Sequence, residues 1–295
     1  MKEILKQLND LQAKYDFSDE QLVSKIGISQ DELDALQKNK PIDPIKLQIV
    51  TRFIEKLEQN IYPTKLLEKM ETLLQLTFDE QTISVIGAVS GAGKTLASER
   101  FAIENPFAIY LYVPEIISVR YLLTTLCIKL GLPSMGLSIP QMFEQISNNM
   151  LQEKRLLIFD ESDRLNRKMF EILRDIWHDG KGNLGIAFVG DENLMNKIKR
   201  PSDLRENLIR LMRRVKYTEI LQPLHADDVK MVFKQHFGKH KITEKMIEQV
   251  FAKYGKLGGL GSILNLADKV LKLSNRSGDQ PNNEMCEEAM KRLKL

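Results

Sequence analysis

The chain has little cysteine: two in 295 residues, Cys127 and Cys286, with no CxxC pair and no Cys/His cluster around either. That argues against a disulfide framework or a structural zinc, and it fits a reducing cytoplasm. No stretch approaches the eighteen or more consecutive apolar residues of a membrane span, so no membrane role is expected. The opening MKEILKQLNDLQ lacks the uninterrupted apolar core of a secretory signal, which argues against export. Internal repeats and low-complexity tracts are missing too. An excess of charge of one sign is also lacking. Lys+Arg 43 against Asp+Glu 40 leave a net +3, which excludes a wholly polycationic surface but not a local basic face. With 43% hydrophobic and 28% charged residues, the composition is that of a soluble globular protein. The length suits one large domain plus a small one, or two domains.

The first sixty residues read as short helices without a strand. Leu5, Leu8 and Leu11 recur at helical spacing, Ser18 opens a segment 19–25, Gly27 makes a turn, and Ser29 opens 30–37. Helix, glycine turn, helix is the outline of a helix-turn-helix. Pro41 and Pro44 close it, a helix over 45–59 follows, Tyr62 and Pro63 break that one, and 66–76 is helical again. From Phe78 the texture changes. Five β-rich runs, at 82–86, 108–113, 156–159, 185–189 and 216–220, are separated by helical patterns, which implies a parallel sheet covered on both faces. Beyond Pro223 only helices are expected, at 227–237, 244–254, 262–274 and 284–293, with a turn at Gly258, Gly259 and Gly261. The predicted architecture is α/β: a helix-turn-helix-like domain over 1–62, a P-loop parallel-sheet domain over 63–223, and a helical lid over 224–295.

The strongest chemical signal is Ala88-Val-Ser-Gly-Ala-Gly-Lys94-Thr95, between a strand and a helix. Small residues there let the backbone N–H groups of Ser90, Gly91, Ala92, Gly93, Lys94, Thr95 and Leu96 turn inward on phosphates, at the positive N-terminus of the next helix. Lys94 would reach the terminal phosphates of ATP, and the Thr95 hydroxyl would ligate Mg²⁺. A second signal is Arg155-Leu-Leu-Ile-Phe-Asp160-Glu161, a hydrophobic strand ending in two carboxylates. Asp160 would hold the metal beside the P-loop, and Glu161 would polarise the attacking water. An isolated glycine turn or an isolated acidic cap would be unremarkable; together they point to nucleotide hydrolysis.

With these motifs the sequence resembles the AAA+ ATPases, and among them the transposition regulators MuB, TnsC and IstB. The resemblance rests on LLIFDESDRL, RKMFEILRDIW, LGIAFVGDENL and KIKRPSDLRENLIRLMRRV, spans about 77–223, and is looser in the helical tail. It implies a sensor-1 residue at Asp191, where the family has Asn or Thr. It implies an arginine finger at Arg214, with Arg210 and Arg213 as neighbours, serving the ATP of an adjoining subunit. The sensor-2 arginine is replaced by Ser262, so either another cation such as Lys256 substitutes or the contact is missing. For DNA the resemblance implies phosphate contacts near a central pore, from Arg120, Arg167 and Lys168, with the basic cluster Lys197–Arg200 as a further contact or an interface element.

The function these features imply is an ATP-dependent regulator that oligomerises on duplex DNA as a filament or ring, marks a target and recruits a transposase. Its cofactors would be ATP and Mg²⁺. The alternatives are a helix-turn-helix transcription regulator with a nucleotide switch, and a helicase-loader-like ATPase. The second helix of the head, QDELDALQ, is acidic and repels phosphate, which leaves DNA contact and partner docking both open for that unit.

Overall fold

The computed structural model of the protein describes residues 2–15, 17–58, 62–180, 182–194, 207–221, 224–255 and 259–293. Five helices precede the sheet: α1 (Lys2–Tyr15), α2 (Asp19–Ile26), α3 (Gln30–Gln37), α4 (Pro44–Glu58) and α5 (Lys65–Asp79). Serine side chains start α2 and α3. Ser18 accepts from Gln21 N–H and Ser29 from Glu32 N–H, and each N3 side chain reaches back to its cap, so two orphan donors are satisfied at each end. Gly27 closes α2 at φ 82°, a left-handed turn that a side chain would strain. Leu8, Leu22, Leu33, Leu36 and Val50 form the buried centre of this head. Each such side chain contributes roughly 1.5–3 kcal/mol by leaving water.

The sheet consists of β1 (Ile83–Ala88), β2 (Ala108–Tyr112), β3 (Arg155–Asp160), β4 (Leu184–Gly190) and β5 (Val215–Leu221). All pairings are parallel, in the order β2-β3-β4-β1-β5. The burial pattern explains the order. Every residue of β1 and β4 is buried, as a strand covered on both faces must be, whereas β5 alternates and lies at an edge. The intervening helices are α6 (Lys94–Glu104), α7 (Val119–Lys129), α8 (Ile139–Met150), α9 (Arg167–Asp179) and α10 (Asn207–Met212). One sheet face packs on α7, α8 and α9 through Leu123, Ile146, Phe159, Leu173 and Phe188; the other packs on α5 and α6 through Met70, Leu74, Ala97 and Ile158.

The tail comprises α11 (Ala226–Phe237), α12 (Glu244–Val250), a π-helical turn over Phe251–Gly255, α13 (Gly259–Ser277) and α14 (Asn283–Arg292), around a core of its own that includes Val232, Phe233, Ile263 and Val270. Two sequence expectations are corrected here. The long tail helix starts at Gly259, not at Ser262, and runs on to Ser277. The helix expected over 244–254 gives way to the π turn after Val250. Both cysteines are free and buried in separate cores, and burial pushes their thiols up, Cys286 to about 12.

The head touches the sheet unit at two helix ends. Lys25 Nζ donates to the Ala102 carbonyl and to that of Asn105 (3.2 Å), so it caps the C-terminal end of α6. Ser24 Oγ donates to Lys129 O (3.0 Å) at the end of α7. A cavity of about 350 Å³ lies in this seam, lined in part by Lys25, Phe53, Ile103 and Tyr110. Burial, reinforced by Lys129, holds the Lys25 amine down at about 7. Among the described residues no helix is long and apolar enough to cross a membrane.

Candidate nucleotide-binding and hydrolysis site

In a parallel sheet every following helix starts at the carboxyl edge of the strands, and the site is built there. Gly91 (φ 74°) and Gly93 (φ 102°) hold the left-handed conformations that let the chain curl between β1 and α6. Gly93 caps α6, so the first helical N–H groups open into the loop. Lys94 is 7% exposed, and its ammonium donates to the carbonyls of Ala88 (2.8 Å) and Val89 (3.1 Å) across the base of the cradle. Ser90, Gly91 and Thr95 face solvent at its rim, and Leu96 is half-buried.

The two motifs converge. Thr95 Oγ1 donates to Asp160 Oδ2 (2.7 Å), joining the P-loop helix to the end of β3. Asp160 is fully buried; its Oδ2 also accepts from the Tyr110 hydroxyl (3.0 Å), and its Oδ1 from the Glu161 N–H (3.0 Å). Burial first, then the neighbouring Asp160, pushes the Tyr110 phenol well above its ordinary value, so it remains a donor. A hydroxyl and a carboxylate side by side, under a curled run of N–H groups, form a hard oxygen donor set that suits Mg²⁺ and a polyphosphate. Among the described residues there is no cluster of three or more His, Cys, Asp or Glu able to hold a metal by itself.

Glu161 departs from the ordinary. Its backbone is left-handed at φ 57°, ψ 39°, a conformation rare for a side-chain-bearing residue. Its carboxylate pairs with Arg164 (3.2 Å), whose guanidinium also donates to Tyr112 Oη (2.7 Å) and Val113 O (3.0 Å) and lies over the Tyr112 ring. The carboxylate is thus held through one oxygen by a cation.

Asp191 follows β4 at the same edge. Its Oδ1 accepts from the N–H groups of Asn193 (2.8 Å) and Leu194 (3.0 Å), and its Oδ2 from the Asn193 amide (3.3 Å). The carboxylate therefore closes a local turn at the end of β4. Arg120 and Arg167 open α7 and α9 at this edge as well. Arg120 donates to Leu137 O (3.1 Å), Arg167 pairs with Glu171 (2.9 Å), and Lys168 is exposed. Arg210, Arg213 and Arg214 lie at the opposite, amino edge. With Arg174, Trp177 and His178 they line a cleft of about 290 Å³, where the Arg214 guanidinium sits 5.9 Å from the Trp177 ring centre. Lys197–Arg200 and Lys256 fall outside the described residues. Ser262 lies in the first turn of α13. That turn touches the P-loop: a Cβ at Gly259 (φ 53°) would come within 2.3 Å of Gly91 O, so only glycine allows this approach.

Sequence reasoning missed Tyr110, Arg164 and the Gly259 contact. Tyr110 has the strand periodicity of a core aromatic, and its position two residues before Tyr112 in β2 was the one available hint. Arg164 is visible only as a charge in DESDRL.

Comparison with protein families matches residues 76–198 to the AAA domain. Comparison with curated proteins gives no significant match. Among solved structures, the chain is similar to a point mutant of Thermotoga maritima RuvB at 16% identity and a TM-score of 0.49, covering 79% of this chain and 74% of that one. The Thermotoga maritima RuvB Holliday junction branch migration motor gives 16% identity and 0.49, over 77% and 69%. C. elegans PCH-2 gives 11% and 0.44, over 85% and 70%. The P-loop, the carboxylate-ended strand beside it and the matched segment define a P-loop nucleotide-binding unit. More narrowly, residues 76–198 match the AAA domain, and that match supports an ATPase.

Proposed function

We propose that the chain is an ATP-dependent, DNA-binding regulator of transposition. ATP-bound subunits assemble on duplex DNA in the cytoplasm, recruit a transposase, and disassemble as ATP is hydrolysed. We divide it into a helix-turn-helix-like head over 1–62, the nucleotide-binding domain over 63–223 and a helical lid over 224–295. The motif resemblance to MuB, TnsC and IstB supports this reading over the transcription-regulator alternative, and so does the acidic α3, whose exposed face carries Gln30 and Asp31. Phosphate contacts from Arg120, Arg167 and Lys168 would give binding that falls steeply with salt and varies little with base sequence.

Within one site the roles divide as follows. Lys94 supplies a fixed positive charge to the terminal phosphates, Thr95 and Asp160 hold Mg²⁺, and Glu161 accepts a proton from the attacking water. Mg²⁺ held by Thr95 and Asp160 would supply positive charge beside the phosphate oxygens.

The observation that carries assembly is the position of the arginine cleft. Arg214 immediately precedes β5, whose first residue pairs with Ile83 at the start of β1, while the P-loop follows Ala88 at its end. At about 3.3 Å per residue, six residues separate the two by roughly 20 Å, beyond the reach of an arginine side chain. This distance supports a role for Arg214 at the P-loop of another copy rather than at its own. Arg214→Ala should leave nucleotide affinity unchanged and lower DNA-stimulated hydrolysis by on the order of 10²-fold, the usual cost of one charge-stabilising donor. Steady-state ATPase assays with nucleotide titrations check this. A wild-type rate would remove Arg214 from the role and make Arg210 the next residue to test.

A further inference from the structure

The carboxylate of Asp160 has a partner that the ATPase reading does not use. Tyr110 lies on β2 opposite Ile158 of β3, so Asp160 is its diagonal neighbour two residues on, on the same face of the sheet. That diagonal is within reach of an aromatic side chain, and the Tyr110 hydroxyl bridges it, donating to Asp160 Oδ2 at 3.0 Å. The same oxygen accepts from Thr95 at 2.7 Å, while Oδ1 is taken by the Glu161 N–H at 3.0 Å. The three donors differ in what they can do. The Glu161 N–H is backbone and restrains the carboxylate from the Oδ1 side. The Thr95 hydroxyl is itself to be a metal ligand. Tyr110 alone of the three is a side-chain donor that does not ligand the metal, and its ring packs against the core that α6 shares with the sheet.

We propose that Tyr110 is a positioning residue for the metal-binding carboxylate, and that its hydroxyl sets how much Mg²⁺ the site needs to bind nucleotide. A buried carboxylate that loses one of its outer hydrogen bonds is held less firmly about its last torsion and turns its oxygens away from the cation more readily. Fixing that torsion beforehand removes an ordering cost from metal binding. Loss of such outer partners commonly weakens metal affinity by about 10- to 100-fold. The inference rests on the assignment of Thr95 and Asp160 as Mg²⁺ ligands, and the test separates the two claims.

The measurement is binding of a fluorescent ATP analogue by the full chain as Mg²⁺ is titrated, alongside binding in excess chelator. Tyr110→Phe keeps the ring and removes only the hydroxyl. Its Mg²⁺ midpoint should rise by about 10-fold or more, with chelator-insensitive binding unchanged. A merely structural role would weaken both alike. Tyr110→Met, whose flexible side chain fills the ring's space, gives a second comparison should the Phe variant not fold, and the same shift is expected. A midpoint equal to wild type in a folded variant overturns the inference. Asp160→Asn reports on the underlying assignment: it should lose the Mg²⁺ dependence altogether. If it keeps the wild-type midpoint, Asp160 is not a ligand, and the ligand assignment falls together with the inference.

Discussion

Glu161→Gln is expected to leave ATP binding intact and to lower hydrolysis by about 10²- to 10⁴-fold, the range for a lost general base. The amide has the size of the carboxylate but cannot take a proton from water. Asp160, whose oxygens are held by Thr95, Tyr110 and the Glu161 backbone, keeps its place, because none of those contacts involves the Glu161 side chain. The substitution also dissolves the ion pair with Arg164. That pair is partly exposed and of little energetic weight, so the unfolding temperature should move by no more than a few degrees. If ATP-bound subunits are the ones that hold DNA, complexes of this variant should outlive those of wild type after excess competitor DNA is added with ATP throughout. Equal lifetimes despite lost hydrolysis would show that hydrolysis does not drive disassembly.

Lys94→Ala should be the more complete loss. The ammonium is buried and already committed to the carbonyls that shape the cradle, so its removal costs both the charge facing the phosphates and the support of the loop. Truncating one partner of a desolvated charge pair costs about 2–5 kcal/mol, which is roughly a 30- to several-thousand-fold loss of nucleotide affinity. Every ATP-dependent step should disappear with it. Isothermal titration with ATP and Mg²⁺ decides the matter; affinity within a few-fold of wild type would mean that Lys94 does not face the phosphates.

Much of the nucleotide site is legible in the sequence because its signals are local. A glycine-rich turn between an apolar run and a helix, and a second apolar run ending in carboxylates, can each be recognised within ten residues. The five strands are legible for the same reason, and their ends move by only a residue or two, since pairing extends β1 to Ala88 and β3 to Arg155. What stays hidden depends on approach between distant segments. Tyr110 reaches Asp160 across fifty residues of chain, and Gly259 meets Gly91 across more than a hundred and fifty. Nothing in GGLGS announces that its second glycine packs on a phosphate loop; read alone, the run is a turn, and the helix start falls three residues late. Asp191 shows a local contact of the same hidden kind: its carboxylate accepts the N–H groups of its own neighbours, Asn193 and Leu194. Arg164 illustrates a further limit, because a charged residue three positions beyond Glu161 on a single turn cannot be told from a solvated one until Tyr112 and Val113 are seen to hold it.

ATP-dependent assembly along DNA is tested most directly by sedimentation of the full chain with a long duplex, run with ATP, with ADP and without nucleotide over a range of salt. With ATP the protein should sediment as large complexes on DNA of unrelated sequences, and these should dissolve steeply as salt rises, as phosphate contacts require. With ADP or no nucleotide it should remain small. Assembly of equal size in all three conditions, or binding confined to one sequence and insensitive to salt, would contradict the account.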